Sequence, residues 1–225
     1  MKETKNIVGK IQQFLRLLKR KYPKPECPVY EEPVDALLFA VISEQSTEQQ
    51  ANIALKRINE HFIDLNDIRV SRLEEIIEVA GPDTAVTIQA AANLTTELKA
   101  IFEKYNMVTL TDMKKLGKKP IREMVSQIPA ISPFVVDYCM LTAFGAHAIP
   151  LTSKMLDYLR AEKIAEPGAD PQQISQMLAR HIPAKEAYAF YALLRREAEQ
   201  PADKAKPKTE KTKKTKGKSA KKKHK

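Results

Sequence analysis

Apolar residues recur at helical spacing along nearly the whole chain. Ile7, Ile11, Phe14, Leu15 and Leu18 fall on one face of a first amphipathic helix. Pro23, Pro25 and Pro28 then impose an extended connector that also carries Cys27 and Val29. A second helix is predicted from Pro33 through the apolar run to about Ile42, and a third from Glu48 to His61, with Ile53, Leu55 and Ile58 available for burial. The same spacing predicts helices over 72–79, 84–105, 120–127, 133–144, 153–163, 171–181 and 184–198. No segment alternates with period two, so an all-α fold without strands is expected.

The helix after Ile131 has the clearest boundaries. Ser132 suits the N-cap, Pro133 the first helical position, and Gly145 a stop at the far end. Between them only Asp137 and Thr142 interrupt an apolar sequence, which predicts a central, buried helix. Asp137 stands in its first turns, where the helix dipole favours an acid.

Composition changes this picture in two places. The chain has a formal net charge of +10, and all of it comes from residues 203–225, where twelve lysines face only Asp203 and Glu210. The other 202 residues balance 26 basic against 26 acidic side chains, so the helical body is neutral and the C-terminal segment is strongly basic. That segment (201–225) has no apolar residue larger than alanine apart from its prolines, and a disordered tail is expected. Its lysines, among them Lys211, Lys213, Lys214, Lys216, Lys218, Lys221, Lys222 and Lys223, suit sequence-independent, salt-sensitive contact with DNA phosphates. A solubilising or targeting segment is the competing reading.

With only Cys27 and Cys139, the chain by itself lacks the thiols for a four-cysteine zinc or iron–sulfur site, and no metal or other cofactor is expected. Cys139 sits in an apolar run and reads as a buried thiol. His61, His147 and His181 lack ligand-like spacing. Met1 to Lys10 has no apolar signal stretch, and the longest apolar run, Ala36 to Ile42, is too short to span a bilayer. The expectation is a soluble intracellular monomer without a membrane role, in the cytoplasm or nucleoid, or in the nucleus of a eukaryote.

Two separated segments carry a resemblance. Asp35-Ala-Leu-Leu-Phe-Ala-Val-Ile-Ser-Glu-Gln-Ser-Thr-Glu48 is an apolar helix followed by a Ser-x-Gln-x-Thr-acidic turn. Ile128-Pro-Ala-Ile-Ser-Pro-Phe precedes an apolar helix that ends at Ala-Phe-Gly145. With His181-Ile-Pro and the aromatic stretch Tyr188-Ala-Phe-Tyr191 in the same order, the chain resembles the helix-hairpin-helix (HhH-GPD) DNA glycosylase superfamily, endonuclease III in particular. The resemblance covers roughly residues 5–198.

It implies a two-domain endonuclease III-like fold. Residues 33–145 would form a six-helix barrel-like domain with the hairpin, residues 1–32 and 146–200 a second helical domain, and DNA would lie between them. It also implies base-excision repair as the field of action and DNA as the partner. Gln45 matches a position that enters the space left by an extruded base; the alternative is a turn or capping glutamine. Ala130, Ile131 and Ser132 match the hairpin that holds a phosphate on backbone N–H groups. Ala130 and Ser132 stand at the two positions normally glycine, so a left-handed backbone at Ala130 would be strained.

Phe134 occupies the position of the lysine that attacks the sugar, and Thr152 that of the aspartate that stabilises the reacting sugar. Neither side chain can do that chemistry. Lys154 and Asp137 are the nearby candidates for substitutes, each with an ordinary structural explanation. The expectations are therefore a divergent glycosylase or lyase, a DNA-binding relative that has lost the chemistry, or a helical interaction protein tethered to DNA by its tail.

Overall fold

The computed structural model of the chain describes residues 2–201, with side chains from Val8 onward. Among these residues there are eleven α-helices, one 3-10 turn and no strand. The helices are α1 (Lys2–Lys21), α2 (Pro33–Ser43), α3 (Glu48–His61), α4 (Leu65–Val70), α5 (Leu73–Ala80), α6 (Ala85–Tyr105), α7 (Lys118–Ser126), α8 (Pro133–Thr142), α9 (Ser153–Ala161), α10 (Pro171–His181) and α11 (Ala184–Ala198). The 3-10 turn spans Thr111–Lys115. The lysines of 203–225 lie outside the described residues.

Helix α2 is apolar on nearly every side, with only Asp35 of its first turn exposed, and is buried accordingly, from Val34 at one end to Ser43 at the other. It packs against α8, α3 and α6, so the two segments that carry the resemblance form the centre of the molecule. Helix α8 buries Phe134, Val135, Val136, Tyr138, Cys139, Met140 and Leu141. Helix α1 rests on α11 and α10, α9 packs on α11, and α8 touches α11. One continuous apolar core runs through both groups of helices, from Ile11 and Leu18 to Leu193 and Leu194.

The boundaries follow local chemistry. Thr47 caps α3 in a reciprocal box with Gln50, Asp64 caps α4, Thr84 caps α6, and Asp170 precedes Pro171 at the start of α10. Asn106 ends α6 in the left-handed conformation, a role in which asparagine is tolerated. The predicted stop at Gly145 is present, with a left-handed φ of 58° and the Ala146 N–H returning to Met140 O at 2.7 Å.

Two elements were not legible in the apolar pattern. Helix α4 has only six residues and buries Ile68 alone, and the 3-10 turn buries only Met113. One apolar contact makes no period. The first helix extends well past its apolar stripe at both ends, and α7 begins two residues before the expected Pro120, which instead sits in its first turn.

Candidate nucleic-acid interface

The turn between α2 and α3 and the hairpin before α8 meet in space, although they lie some ninety residues apart in sequence. The Glu44 carboxylate, at the end of α2, stands beside the Ser132 hydroxyl; burial raises its pKa and that hydroxyl opposes the rise. Gln45, the next residue, is exposed, and its side chain forms no hydrogen bond among the described residues. The capping glutamine is Gln50, whose Oε1 accepts from the Thr47 N–H at 3.0 Å.

In the hairpin, Ala130 has a φ of 65°, a left-handed conformation in a residue that carries a Cβ. Ala130 is exposed, while Ile131 and Ser132 are half-buried. The Ile131 N–H returns to Ile128 O at 3.3 Å, whereas the N–H groups of Ala130 and Ser132 have no acceptor among the described residues. Ser132 Oγ caps α8 by accepting from the Val135 N–H at 3.1 Å. The hairpin thus offers an outward left-handed turn followed directly by a helix N-terminus, although Pro133 removes one of that helix's free N–H groups.

Phe134 is 4% exposed and belongs to an aromatic cluster, with ring centroids 6.2 Å from Tyr138 and 6.5 Å from Tyr191. The Arg195 guanidinium lies 5.9 Å from its centroid. Tyr30 and Tyr138 extend the cluster, hydroxyl to hydroxyl at 2.9 Å. Thr152 is buried and caps α9, its Oγ1 accepting from the Met155 N–H at 3.3 Å. Asp137 pairs with Arg122 at 2.6 Å and accepts from Ser175 Oγ at 3.2 Å, tying α8 to α7 and α10. Lys154 is exposed in the first turn of α9.

Arg195 was missed in the sequence. It is completely buried, and its five N–H groups meet five acceptors: Ser43 O at 2.6 Å, Ser46 O at 3.2 Å, Ser43 Oγ at 3.2 Å, Tyr191 OH at 2.8 Å and Glu199 Oε1 at 2.8 Å. The only sequence signal was an arginine pair, Arg195 and Arg196, on a helix with aromatic and leucine residues on several sides. Glu97 was missed as well. It is 1% exposed on α6, its Oε2 has no partner, and burial, with Glu44 as a like charge nearby, pushes its pKa up to about 8.

A cleft of about 470 Å³ opens between α3, α5 and α6, with Gln45, Gln50 and Arg57 among its polar lining and Ile53, Ile58, Ile76 and Leu94 among its apolar lining. Among the described residues, no group of three or more His, Cys, Asp or Glu side chains is placed to hold a metal ion. Cys27 is exposed and Cys139 is buried. No helix among the described residues is long and apolar enough to cross a membrane.

No family model matches the chain, and no curated protein matches it in sequence. Its fold, by contrast, is shared with solved DNA glycosylases. A trapped covalent intermediate of endonuclease III with DNA matches at 19% identity and a TM-score of 0.65, over 82% of this chain and 84% of that one. A non-covalent complex of endonuclease III with DNA matches at 19% identity and a TM-score of 0.67, over 84% of each chain. The 3-methyladenine DNA glycosylase of Schizosaccharomyces pombe, in complex with abasic DNA, matches at 20% identity and a TM-score of 0.60, over 85% and 93%. At such identities the likeness is one of fold: an all-α architecture of the endonuclease III type.

Proposed function

We propose that this chain is a helix-hairpin-helix glycosylase relative that binds duplex DNA through the hairpin and the Gln45 turn and no longer performs the covalent chemistry. The observation that carries this reading is the left-handed Ala130, with the unpaired N–H groups of Ala130 and Ser132 beside it at the start of α8. A residue with a Cβ is strained there by roughly 1 kcal/mol, and what sets this turn apart from the equally left-handed Lys163 after α9 is that it leads directly into a helix N-terminus. Free N–H groups at a helix N-terminus are suited to holding a phosphate.

The side chains at the positions of the missing chemistry support the second half of the reading. Phe134 is packed into aromatic neighbours and Thr152 is spent on a helix cap, so neither offers an amine or a carboxylate to a sugar. Arg122 and Ser175 occupy the Asp137 carboxylate, which leaves it poorly suited as a substitute. The twelve lysines of 203–225 supply the non-specific affinity that a neutral body lacks. Protection of damaged or abasic sites within base-excision repair is the role that fits.

The cleft between α3, α5 and α6, with Ile53 half-exposed at its side, supports a second reading: a helical interaction protein that docks an apolar partner and is tethered to DNA by its lysines. One experiment separates the readings. The chain is mixed with duplex carrying a single abasic site, with and without borohydride, and binding, strand cleavage and adduct formation are measured together. Binding that survives removal of residues 203–225, without adduct or cleavage, is expected. A trapped adduct would overturn the loss of chemistry, and a body that binds no duplex would leave the interaction reading.

A further inference from the structure

The turn that presents Gln45 is gripped from behind by the C-terminal end of α11, and this gives Arg195 and the capping residue Glu199 a role. We infer that Arg195 and Glu199 are positioning residues that fix the Gln45 amide for contact with DNA; the inference rests on the DNA-binding reading above. Between the last residue of α2, Ser43, and the first residue of α3, Glu48, the backbone leaves one helix and enters another. Carbonyls that lose their helical partners must find others when buried. Arg195 supplies them, with Nη2 donating to both Ser43 O and Ser46 O. Its charge therefore sits at the C-terminal end of α2, where the helix dipole is negative.

Glu199, the residue that caps the end of α11, completes the grip. Its carboxylate accepts from Arg195 Nε at 2.8 Å and from the Glu48 N–H at 3.0 and 3.2 Å. A negative charge thus meets the N-terminal end of α3, again in the favourable sense. Three backbone groups on either side of Gln45 are held by two side chains at the end of one distant helix. Gln45 itself is exposed and forms no side-chain hydrogen bond among the described residues, so the backbone of the turn decides the point and direction from which its amide reaches out.

The planar fork of arginine is suited to two carbonyls at once in a way that the single ammonium of lysine is not. The grip also links the DNA-facing turn to the end of the helix that leads into the lysine-rich segment, since α11 ends at Ala198 and the lysines begin at Lys204.

A double-mutant cycle in the full-length chain tests this, using a short duplex with one abasic site at a fixed salt concentration and chemical denaturation to confirm folding. Gln45→Ala is expected to weaken binding by about tenfold, the worth of one well-made hydrogen-bonded contact. Glu199→Gln removes the charge and, with its amide oxygen kept toward Arg195, turns an N–H₂ toward the Glu48 N–H; it is expected to weaken binding by about three- to tenfold. The double variant is expected to be no weaker than Gln45→Ala alone, because the grip acts through Gln45. Arg195→Lys, where it folds, should behave as Glu199→Gln does. Losses that multiply in the double variant, or undiminished binding by Glu199→Gln, would overturn the positioning role. Undiminished binding by Gln45→Ala would instead overturn the reading of Gln45 as a DNA contact, a separate outcome.

Discussion

Arg195 Nη2 donates to the carbonyl of Ser43 at 2.6 Å, joining the last helix of the body to the end of its central helix. The guanidinium is wholly buried and its other N–H groups are all engaged, so the contact leaves no slack. Arg195→Met would keep much of the volume but leave Ser43 O, Ser46 O and the Glu199 carboxylate short of a partner. A loss of about 3–5 kcal/mol in urea denaturation is expected, as for other buried pairs broken from one side. A loss under about 1 kcal/mol would show that water replaces the guanidinium and that the site is not closed.

Glu97 makes stability depend on pH. Its folded pKa is raised to about 8 from an ordinary 4.5, first by burial and then by Glu44. Between those values the unfolded chain has lost the proton that the folded chain keeps, so stability falls as pH rises through that window and levels off above it. Glu97→Gln removes the proton from the balance. At pH 5 the variant should nearly match the wild type, and at pH 8 it should be more stable by about 3–4 kcal/mol. Thermal melts that run parallel across that range would refute the assignment.

At Ala130 the backbone asks for glycine. Gly has no Cβ to clash at a φ of 65°, so Ala130→Gly should raise stability, by about 1 kcal/mol at most after the added freedom of the unfolded chain is set against it. If the hairpin holds phosphate, the same substitution should preserve or tighten duplex binding. Destabilisation by Ala130→Gly would show that Ala130 does not hold a left-handed conformation in solution.

A lysine at position 134 is expected to bring no covalent chemistry. In Phe134→Lys the ammonium would replace a ring packed against Tyr138 and Tyr191, with the Arg195 charge close by. Burial without a counter-charge should cost about 3 kcal/mol or more, and borohydride should trap no adduct. A trapped adduct from a stably folded variant would show that the aromatic cluster opens to DNA.

The C-terminal lysines are tested by salt. Each phosphate neutralised contributes about 0.9 to the slope of log affinity against log salt. Deleting residues 203–225 should therefore flatten that slope markedly and lower affinity at low salt. An unchanged slope would shift non-specific binding to the body, despite its balance of charge.

What the sequence by itself determined is whatever its local patterns dictate. The spacing of Ile11, Phe14, Leu15 and Leu18, the largely apolar course of α2 and α8, the cap Ser132, and the stop at Gly145 set helix type and most boundaries, because backbone hydrogen bonding and amphipathic burial act over a few residues. The concentration of charge in 203–225 was equally legible, since net charge needs no geometry. Short elements such as α4, with one buried residue, left no period to read.

The candidate site depended on tertiary structure. Gln45 and the hairpin could be singled out one by one, but their meeting through Glu44 and Ser132 joins segments far apart in the chain. Neither Arg195 nor Glu97 carries a local signature, because charged residues on amphipathic helices usually face water. Only packing placed one with five acceptors and the other with an orphaned oxygen. The left-handed Ala130 belongs to the same class: sequence could name the residue, and only the folded chain could set its φ, since a strained conformation persists where surrounding contacts overdetermine it.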